Sequence, residues 1–400
     1  MRILKVTQAY YPFQERGGPA VKVRSIACEL VAQGQEVSVL TADLGFGASQ
    51  AAAASAHPTA WGWASDVGGV EAIYLKTWLH YRSLTVNSGV IKFCRLRLRE
   101  FDLVHIYGLY DVLGPVVASY CRRFKIPYIV EPLGMTRPID RGFMLKKIWW
   151  KVFRKYLPGA SQVIATSEME RDELVADGYD SDRVMLRYNG IDLKDFRELP
   201  PKGTFRKKVG FGDDEHFILF LGRIIPRKGA DLLIQALTMI ASEKTMLVLA
   251  GPEGETGYVD GLREKAHAMG VEHRVRFVGP LYGEDKIAAM VDAWVFALPS
   301  RYENFGNTAA EAMACGTPAI VSDCCGVAPL VKDRAGLVTA YDAGALAQAL
   351  EELLENPDLY QRLKAGCREV AEEISWDHLI RVMQVSYEHT RNNFLRHPSV

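Results

Sequence analysis

No strongly apolar stretch of this sequence approaches the ~20 residues that a membrane-spanning helix requires, the one uncharged run of that length, 44–65, being rich in alanine, glycine and serine, so a soluble protein is expected. Cysteine is sparse and unpatterned. The seven cysteines are scattered and odd in number, no pair stands at the two-residue spacing used for metal or redox work, and the neighbours Cys324 and Cys325 cannot serve as a structural staple. Reduced thiols in a cytoplasmic protein are the expectation. An excess of either charge is also missing: 48 basic residues balance 48 acidic ones, which argues against nucleic acid as the main partner. Neither half carries a Gly-x-Gly-x-x-Gly fingerprint after its first strand, and no phosphate-loop lysine motif occurs, so dehydrogenase and P-loop readings lose support. Met1-Arg2-Ile3-Leu4-Lys5-Val6 reads directly into a strand, so no cleaved leader is expected.

What is present is a long α/β pattern. Four hundred residues suit two domains of roughly 200 residues each. Ile3-Leu4-Lys5-Val6-Thr7 reads as a buried strand, followed by a Gly17-Gly18-Pro19 loop, a helical stretch through Leu30 and a second strand at Val37-Ser38-Val39-Leu40. This βαβ unit implies a parallel sheet. Further strands are expected at Leu103–Ile106, Tyr128–Val130, Val163–Ala165 and Val184–Leu186, whereas the stretch Gly45–Ser65, rich in alanine, glycine and serine, is expected to be a mobile loop. Pro200-Pro201-Lys202-Gly203 interrupts the pattern like a hinge. A second set then follows: Phe217–Phe220, Met246–Leu249, Val275–Val278, Val295–Leu298 and Ala319–Val321. The expected fold class is α/β, with two doubly wound parallel-sheet domains, 1–195 and 200–375. From Ala345 onward the pattern is helical, with Trp376, Leu379, Met383 and Tyr387 at spacings of three and four.

The charge is unevenly divided. Residues 1–200 carry 26 basic and 21 acidic side chains, a balance of +5, while residues 201–400 carry 22 and 27, a balance of −5. A basic N-terminal half could face an anionic surface or substrate.

The most informative stretch is Leu298-Pro299-Ser300-Arg301-Tyr302-Glu303-Asn304-Phe305-Gly306-Asn307-Thr308-Ala309-Ala310-Glu311, with two glutamates eight positions apart. Pro299-Ser300 ends the preceding strand, and Asn307-Thr308 is expected to cap a helix starting near Ala309. In open parallel sheets ligands bind beyond the carboxyl ends of the strands, so this loop belongs at a site mouth. Helix amides there attract anions, and Gly306 allows close backbone approach. Glu311 is suited to accept two hydrogen bonds from a ribose diol, and Glu303 from sugar hydroxyls. After the strand Phe217–Phe220 comes Gly222-Arg223-Ile224-Ile225-Pro226-Arg227-Lys228-Gly229, in which arginine offers a planar fork to phosphate oxygens and lysine a point charge.

From Met1 to about Tyr387 the sequence resembles the family 4 glycosyltransferases of the GT-B fold, whose hallmark is the glutamate, seven residues, glutamate arrangement. The resemblance implies that Glu303 contacts the donor sugar and Glu311 the nucleotide ribose, with Asn304, Phe305, Gly306 and Asn307 lining the same donor site. It also implies that Arg223 and Lys228 bind the diphosphate, that Gly17 and Gly18 face a phosphate across the cleft, and that Gly279 lines the nucleotide. The closing helix, 376–400, is expected to complete the N-terminal domain, with Trp376 near the crossover. Two departures stand out. Leu133, within Glu131-Pro132-Leu133-Gly134-Met135, occupies the place of a common histidine, and His105-Ile106-Tyr107 replaces the family's His-x-His. His105 by itself reads as a core histidine; Tyr107, Glu131 and Arg137 stay candidates for polar contacts from the N-terminal side.

The resemblance implies a retaining transferase that moves a sugar from a nucleotide diphosphate sugar to a glycan or polyprenyl-linked acceptor, in cell-envelope or exopolysaccharide synthesis. Glu303 is the residue nearest a catalytic role. No metal or other cofactor is expected, because Arg223 and Lys228 supply the cations. A GT-B epimerase or phosphorylase, or a non-catalytic nucleotide-sugar-binding subunit, is the alternative. The stretch Arg141–Tyr156 has six basic groups and no acid, with Leu145, Trp149, Val152 and Tyr156 on one helical face. It reads either as a peripheral membrane contact at the inner face of the membrane or as a packed surface helix with solvated lysines.

Overall fold

The computed structural model describes residues 1–13, 18–44, 46, 55–81, 84–136, 156–212 and 214–396. Two compact units account for the chain: Met1–Gly190 with Trp376–Val400, and Ile191–Ser375. The change of unit falls ahead of the Pro200–Gly203 stretch read as a hinge. Two contacts explain the shift. The Ile191 amide donates to the Ile374 carbonyl at 3.0 Å, and the buried Asp292 carboxylate accepts from the amides of Phe205 (2.7 Å) and Arg206 (3.0 Å), holding this stretch within the second unit.

In the first unit, apolar runs make the central strands β1 (Arg2–Val6), β2 (Glu36–Ala42), β5 (Val70–Leu75), β8 (Leu103–Tyr107), β9 (Tyr128–Glu131), β10 (Gln162–Ala165) and β11 (Val184–Leu186). All pair in parallel, in the order β11-β10-β9-β8-β1-β2-β5. β4 (Gly62–Val67) and β3 (His57–Thr59) extend that sheet antiparallel beyond β5. Residues 57–65, expected as loop, are therefore largely strand: β4 is laddered to β5 on one side and to β3 on the other, and most of its residues are buried or half-buried. β6 (Thr77–Tyr81) and β7 (Leu84–Asn87) form a separate two-stranded ribbon. The helix Gly18–Ala32 buries Val23, Ile26 and Leu30 against one sheet face. Trp376, Leu379, Met383 and Tyr387 of the terminal helix Trp376–Arg396 join the same core.

In the second unit the order is β14 (Val275–Gly279), β13 (Thr245–Ala250), β12 (His216–Leu221), β15 (Val295–Leu298), β16 (Ala319–Ser322), β17 (Gly336–Thr339), all parallel. Counted within the unit this is 3-2-1-4-5-6, the doubly wound order whose switch point lies between the first and fourth strands. The four central strands β13, β12, β15 and β16 are buried almost end to end rather than alternating, as suits a parallel sheet covered by helices on both faces. Among the described residues, no helix is long and apolar enough to cross a membrane.

Candidate functional site

The switch point of the second unit lies between β12 and β15, and the loops that leave these two strands carry the basic segment and the first glutamate. Gly229 adopts φ +72°, and a Cβ there would stand 2.1 Å from the Pro299 carbonyl oxygen, so only glycine lets the first loop lie against the second. The Arg301 amide donates to the Arg227 carbonyl at 2.8 Å and completes the seam. These backbone contacts bring the Lys228 ammonium to 2.8 Å from a Glu303 carboxylate oxygen, with both side chains mostly buried. The stem of Lys228 lies along Gly222.

Glu303 is held from the far side as well. Its amide donates to the Cys324 carbonyl (3.0 Å), its carbonyl accepts from the Gly326 amide (2.9 Å), and the Val327 amide donates to the Phe305 carbonyl (2.7 Å). The loops after β15 and β16 are thus zipped together. Phe305 is buried, Asn304 half-buried and Asn307 exposed. Gly306 turns the chain at φ +109° with Val327 pressed against it.

The expected Asn307-Thr308 cap is corrected here: the helix runs Asn307–Ala314, its cap is Gly306, and no side chain makes a capping bond. The Gly306 carbonyl accepts from the amides of Ala309 (3.0 Å) and Ala310 (3.2 Å), so the turn is closed by backbone alone. Glu311, one turn in, reaches Lys286 of the helix Gly283–Asp292 at 3.1 Å. Lys286 escaped the sequence reading, because nothing in its local pattern distinguishes it from a solvated helix lysine.

Arg223 is exposed on the loop after β12, its stem packed on Gly254, and it makes no ion pair among the described residues. Gly279 ends β14 at φ +72°, its carbonyl accepts from the Gly251 amide at 2.8 Å, and the space where a Cβ would stand is open. The structure therefore joins Lys228 to Glu303 and Lys286 to Glu311. Gly18 opens the first helix of the other unit, while Gly17, Arg137 and nearly all of the basic segment 141–156 lie outside the described residues.

In the first unit a charged cluster is buried where β1, β8 and β9 end. Glu131 receives Arg187 at 2.6 Å and His105 at 3.5 Å, and also the Lys22 ammonium, which bonds Asn189 as well. Lys5 donates to the hydroxyls of Tyr107 (2.7 Å) and Tyr387 (3.3 Å), and His105 Nδ1 meets the Tyr387 hydroxyl at 2.5 Å. Burial alone would raise Glu131, but Arg187, Lys22 and His105 outweigh it and hold the carboxyl well below its usual range. Burial pushes His105 down to about 3, Lys22 down to about 8 despite Glu131, and Lys5 well below its ordinary value. His105 is the core histidine its sequence context suggested. Lys5, Lys22, Arg187 and Tyr387 were not anticipated. Next to this cluster Leu133 sits at φ +61°. Its loop is tied down by Glu170, which accepts from the Gly134 amide (2.5 Å), and by Glu173, which accepts from the Thr136 hydroxyl (2.9 Å).

Residues 201–370 match the model of the glycosyl transferases group 1, and residues 17–190 that of the glycosyl transferase 4-like domain. A D-inositol 3-phosphate glycosyltransferase of Xylanimonas cellulosilytica is 35% identical over 303 residues, 71% of this chain and 70% of the relative. The chain belongs to the group 1 glycosyltransferases. Another D-inositol 3-phosphate glycosyltransferase, from Jonesia denitrificans, is 32% identical over 246 residues, a match that spans 58% of each chain. Anabaena Alr3699/HepE in complex with UDP superposes with a TM-score of 0.76 at 19% identity, covering 97% of this glycosyltransferase and all of the other chain. The fold is GT-B and the protein is a hexosyltransferase-type enzyme.

Proposed function

We propose that this glycosyltransferase binds a nucleoside diphosphate sugar at the β12/β15 switch point and transfers its sugar, with retention, to a hydroxyl of a glycan or lipid-linked acceptor. The observation that carries the reading is the Lys228–Glu303 pair, a cation and an acid held together at the mouth where doubly wound sheets take their ligands. Anabaena Alr3699/HepE, whose fold this chain shares, has been seen with UDP and with UDP-glucose.

In this reading the donor's diphosphate takes over Lys228 and is met by Arg223, and Glu303 exchanges its lysine for the sugar hydroxyls. As the bond between the anomeric carbon and the phosphate oxygen breaks, its electron pair leaves with the diphosphate. Fixed cations stabilise that growing charge more than the ground state, which lowers the barrier without requiring a metal. Glu303 faces the positive charge that develops on the sugar ring. The acceptor hydroxyl bonds to the anomeric carbon and gives up its proton, and the departing phosphate oxygen is its natural acceptor. Glu311, steadied by Lys286, accepts from the ribose diol. Asn304, Phe305, Gly306, Asn307 and Gly279 shape the same pocket, and the family resemblance is what supports a donor-phosphate contact for Gly17 and Gly18. The envelope role, with the enzyme at the inner face of the membrane and the segment 141–156 touching lipid, is supported by the six basic groups of that segment.

Thermal-shift titration with uridine, guanosine and adenosine diphosphates tests the donor class. One of the three should stabilise the protein, and Lys228→Ala should abolish the shift; no shift with any, or an equal shift in the variant, would overturn the reading.

A further inference from the structure

The helix Val90–Arg97 turns Val90, Phe93 and Cys94 inward, and Leu98 of the following short turn Leu98–Glu100 joins them in the core. That spacing leaves Ile91, Lys92, Arg95, Leu96 and Arg99 on the outward side, and all five are exposed. Leu96 is 62% and Ile91 47% accessible, so aliphatic side chains stand among the cations on this face. The neighbouring helix Leu113–Phe124 broadens the face: Arg95 Nε donates to the Tyr120 hydroxyl at 3.3 Å, and the Arg99 guanidinium lies 3.9 Å from the centre of the Phe124 ring. The nearest acids in sequence are already engaged. Glu100 pairs with Arg97 at 3.1 Å, and Asp102 receives the Arg2 amide at 2.8 Å and Arg391 at 3.3 Å. The ribbon that precedes the helix exposes Trp78 to 81% and Leu79 to 58%.

We infer that this two-helix face docks the enzyme on the anionic surface of a lipid bilayer. Cations among exposed aliphatic and aromatic side chains suit the headgroup boundary, where guanidinium and ammonium groups meet lipid phosphates while Ile91 and Leu96 enter the acyl edge. Anionic headgroups add an attraction for each basic residue near the surface. A second copy of this chain is a poor occupant, because a two-fold contact would set the same cations against each other. The proposal stands on residues apart from the donor site and from the segment 141–156.

Co-sedimentation of the full chain with vesicles of phosphatidylglycerol and phosphatidylcholine, against phosphatidylcholine alone, tests it. The wild type should sediment with the anionic vesicles only. Lys92→Glu/Arg95→Glu/Arg99→Glu should lower the bound fraction by about tenfold or more. Ile91→Ser/Leu96→Ser, which alters no charge, should lower it severalfold. Both variants should keep the wild-type melting temperature and its shift with nucleoside diphosphate, which separates a failure here from a failure of the donor reading. The inference is overturned if the wild type stays in the supernatant, as a protein or free polyanion partner would predict. Equal sedimentation of the variants, or loss only on charge reversal at Lys147, Lys151 and Lys155, overturns it too.

Discussion

The Lys228 ammonium stands 2.8 Å from the Glu303 carboxylate, joining the loop that leaves β12 to the loop that leaves β15. Removing either side chain leaves the other without its partner in a mostly enclosed site. Lys228→Ala should lower turnover by about 10²-fold or more, the usual consequence of losing one transition-state charge contact. Glu303→Gln should act on the same step, so the double variant should lose less than the product of the two single losses. Steady-state sugar transfer or donor hydrolysis measures this, and strictly multiplicative losses would show that the pair does not work as a unit.

Glu311 and Lys286 form the second pair, about a quarter exposed on each side. An ion pair that open contributes about 1 kcal/mol or less to stability, so Lys286→Ala should leave the urea midpoint nearly unchanged. Glu311→Ala should lower turnover by roughly 10²-fold and Lys286→Ala by roughly tenfold, both with weaker nucleoside diphosphate binding by calorimetry. Unaltered binding in both variants would remove the ribose assignment.

Gly229 controls the seam between the two loops. Gly229→Ala places a Cβ 2.1 Å from the Pro299 oxygen at φ +72°, which should cost about 1–3 kcal/mol and pull Lys228 away from Glu303. Gly279→Ala is the matched control: the same φ with open space around it should cost only the left-handed penalty, about 1–2 kcal/mol. Denaturant unfolding gives the stability and calorimetry the donor affinity, which should fall much further for Gly229→Ala.

The buried cluster of the first unit predicts acid sensitivity. Glu131 is depressed in the folded state, so its contribution is fully present above its unfolded value near 4.3 and is lost as pH falls through the lower folded value. His105 titrates at about 3 when folded and at about 6.5 when unfolded, so between these values the unfolded chain binds a proton that the folded chain refuses. Both effects have one sign: urea midpoints should decline as pH falls below about 6.5. His105→Gln should flatten the upper part of that decline. Glu131→Gln should destabilise by about 3–5 kcal/mol near neutral pH, because Lys22 and Arg187 then lack their counter-charge.

Much of the α/β frame was legible because its strands are short apolar runs bounded by glycine and proline, as at Phe217–Phe220 and Val295–Leu298. β5 was missed although it is buried, because Glu71 interrupts its apolar run, and so were strands that do not look like core, the β6–β7 ribbon among them. β3 and β4 lie at an antiparallel edge with small and polar residues, and β17 begins with Gly336, whose lack of a side chain lets it pack against Ala319 of β16. At the proposed donor site, Arg223, Lys228, Glu303 and Glu311 stood out because their glycines and spacing are local. Lys286 and the Lys5, Lys22 and Arg187 set did not. A lysine buried on β1 and one exposed on a helix read alike in sequence, since the acids and hydroxyls that hold a buried charge come from distant strands.

The sequence by itself determined that this chain makes doubly wound α/β halves, and which loops carry cations, acids and glycines, because strand and helix periodicities are written within a few residues. Only the tertiary structure decided that β12 lies beside β15, that Lys228 therefore meets Glu303, and that Glu131 is enclosed by cations. Strand order and burial arise from contacts between segments far apart in the chain, and no local pattern encodes the partner of a charge.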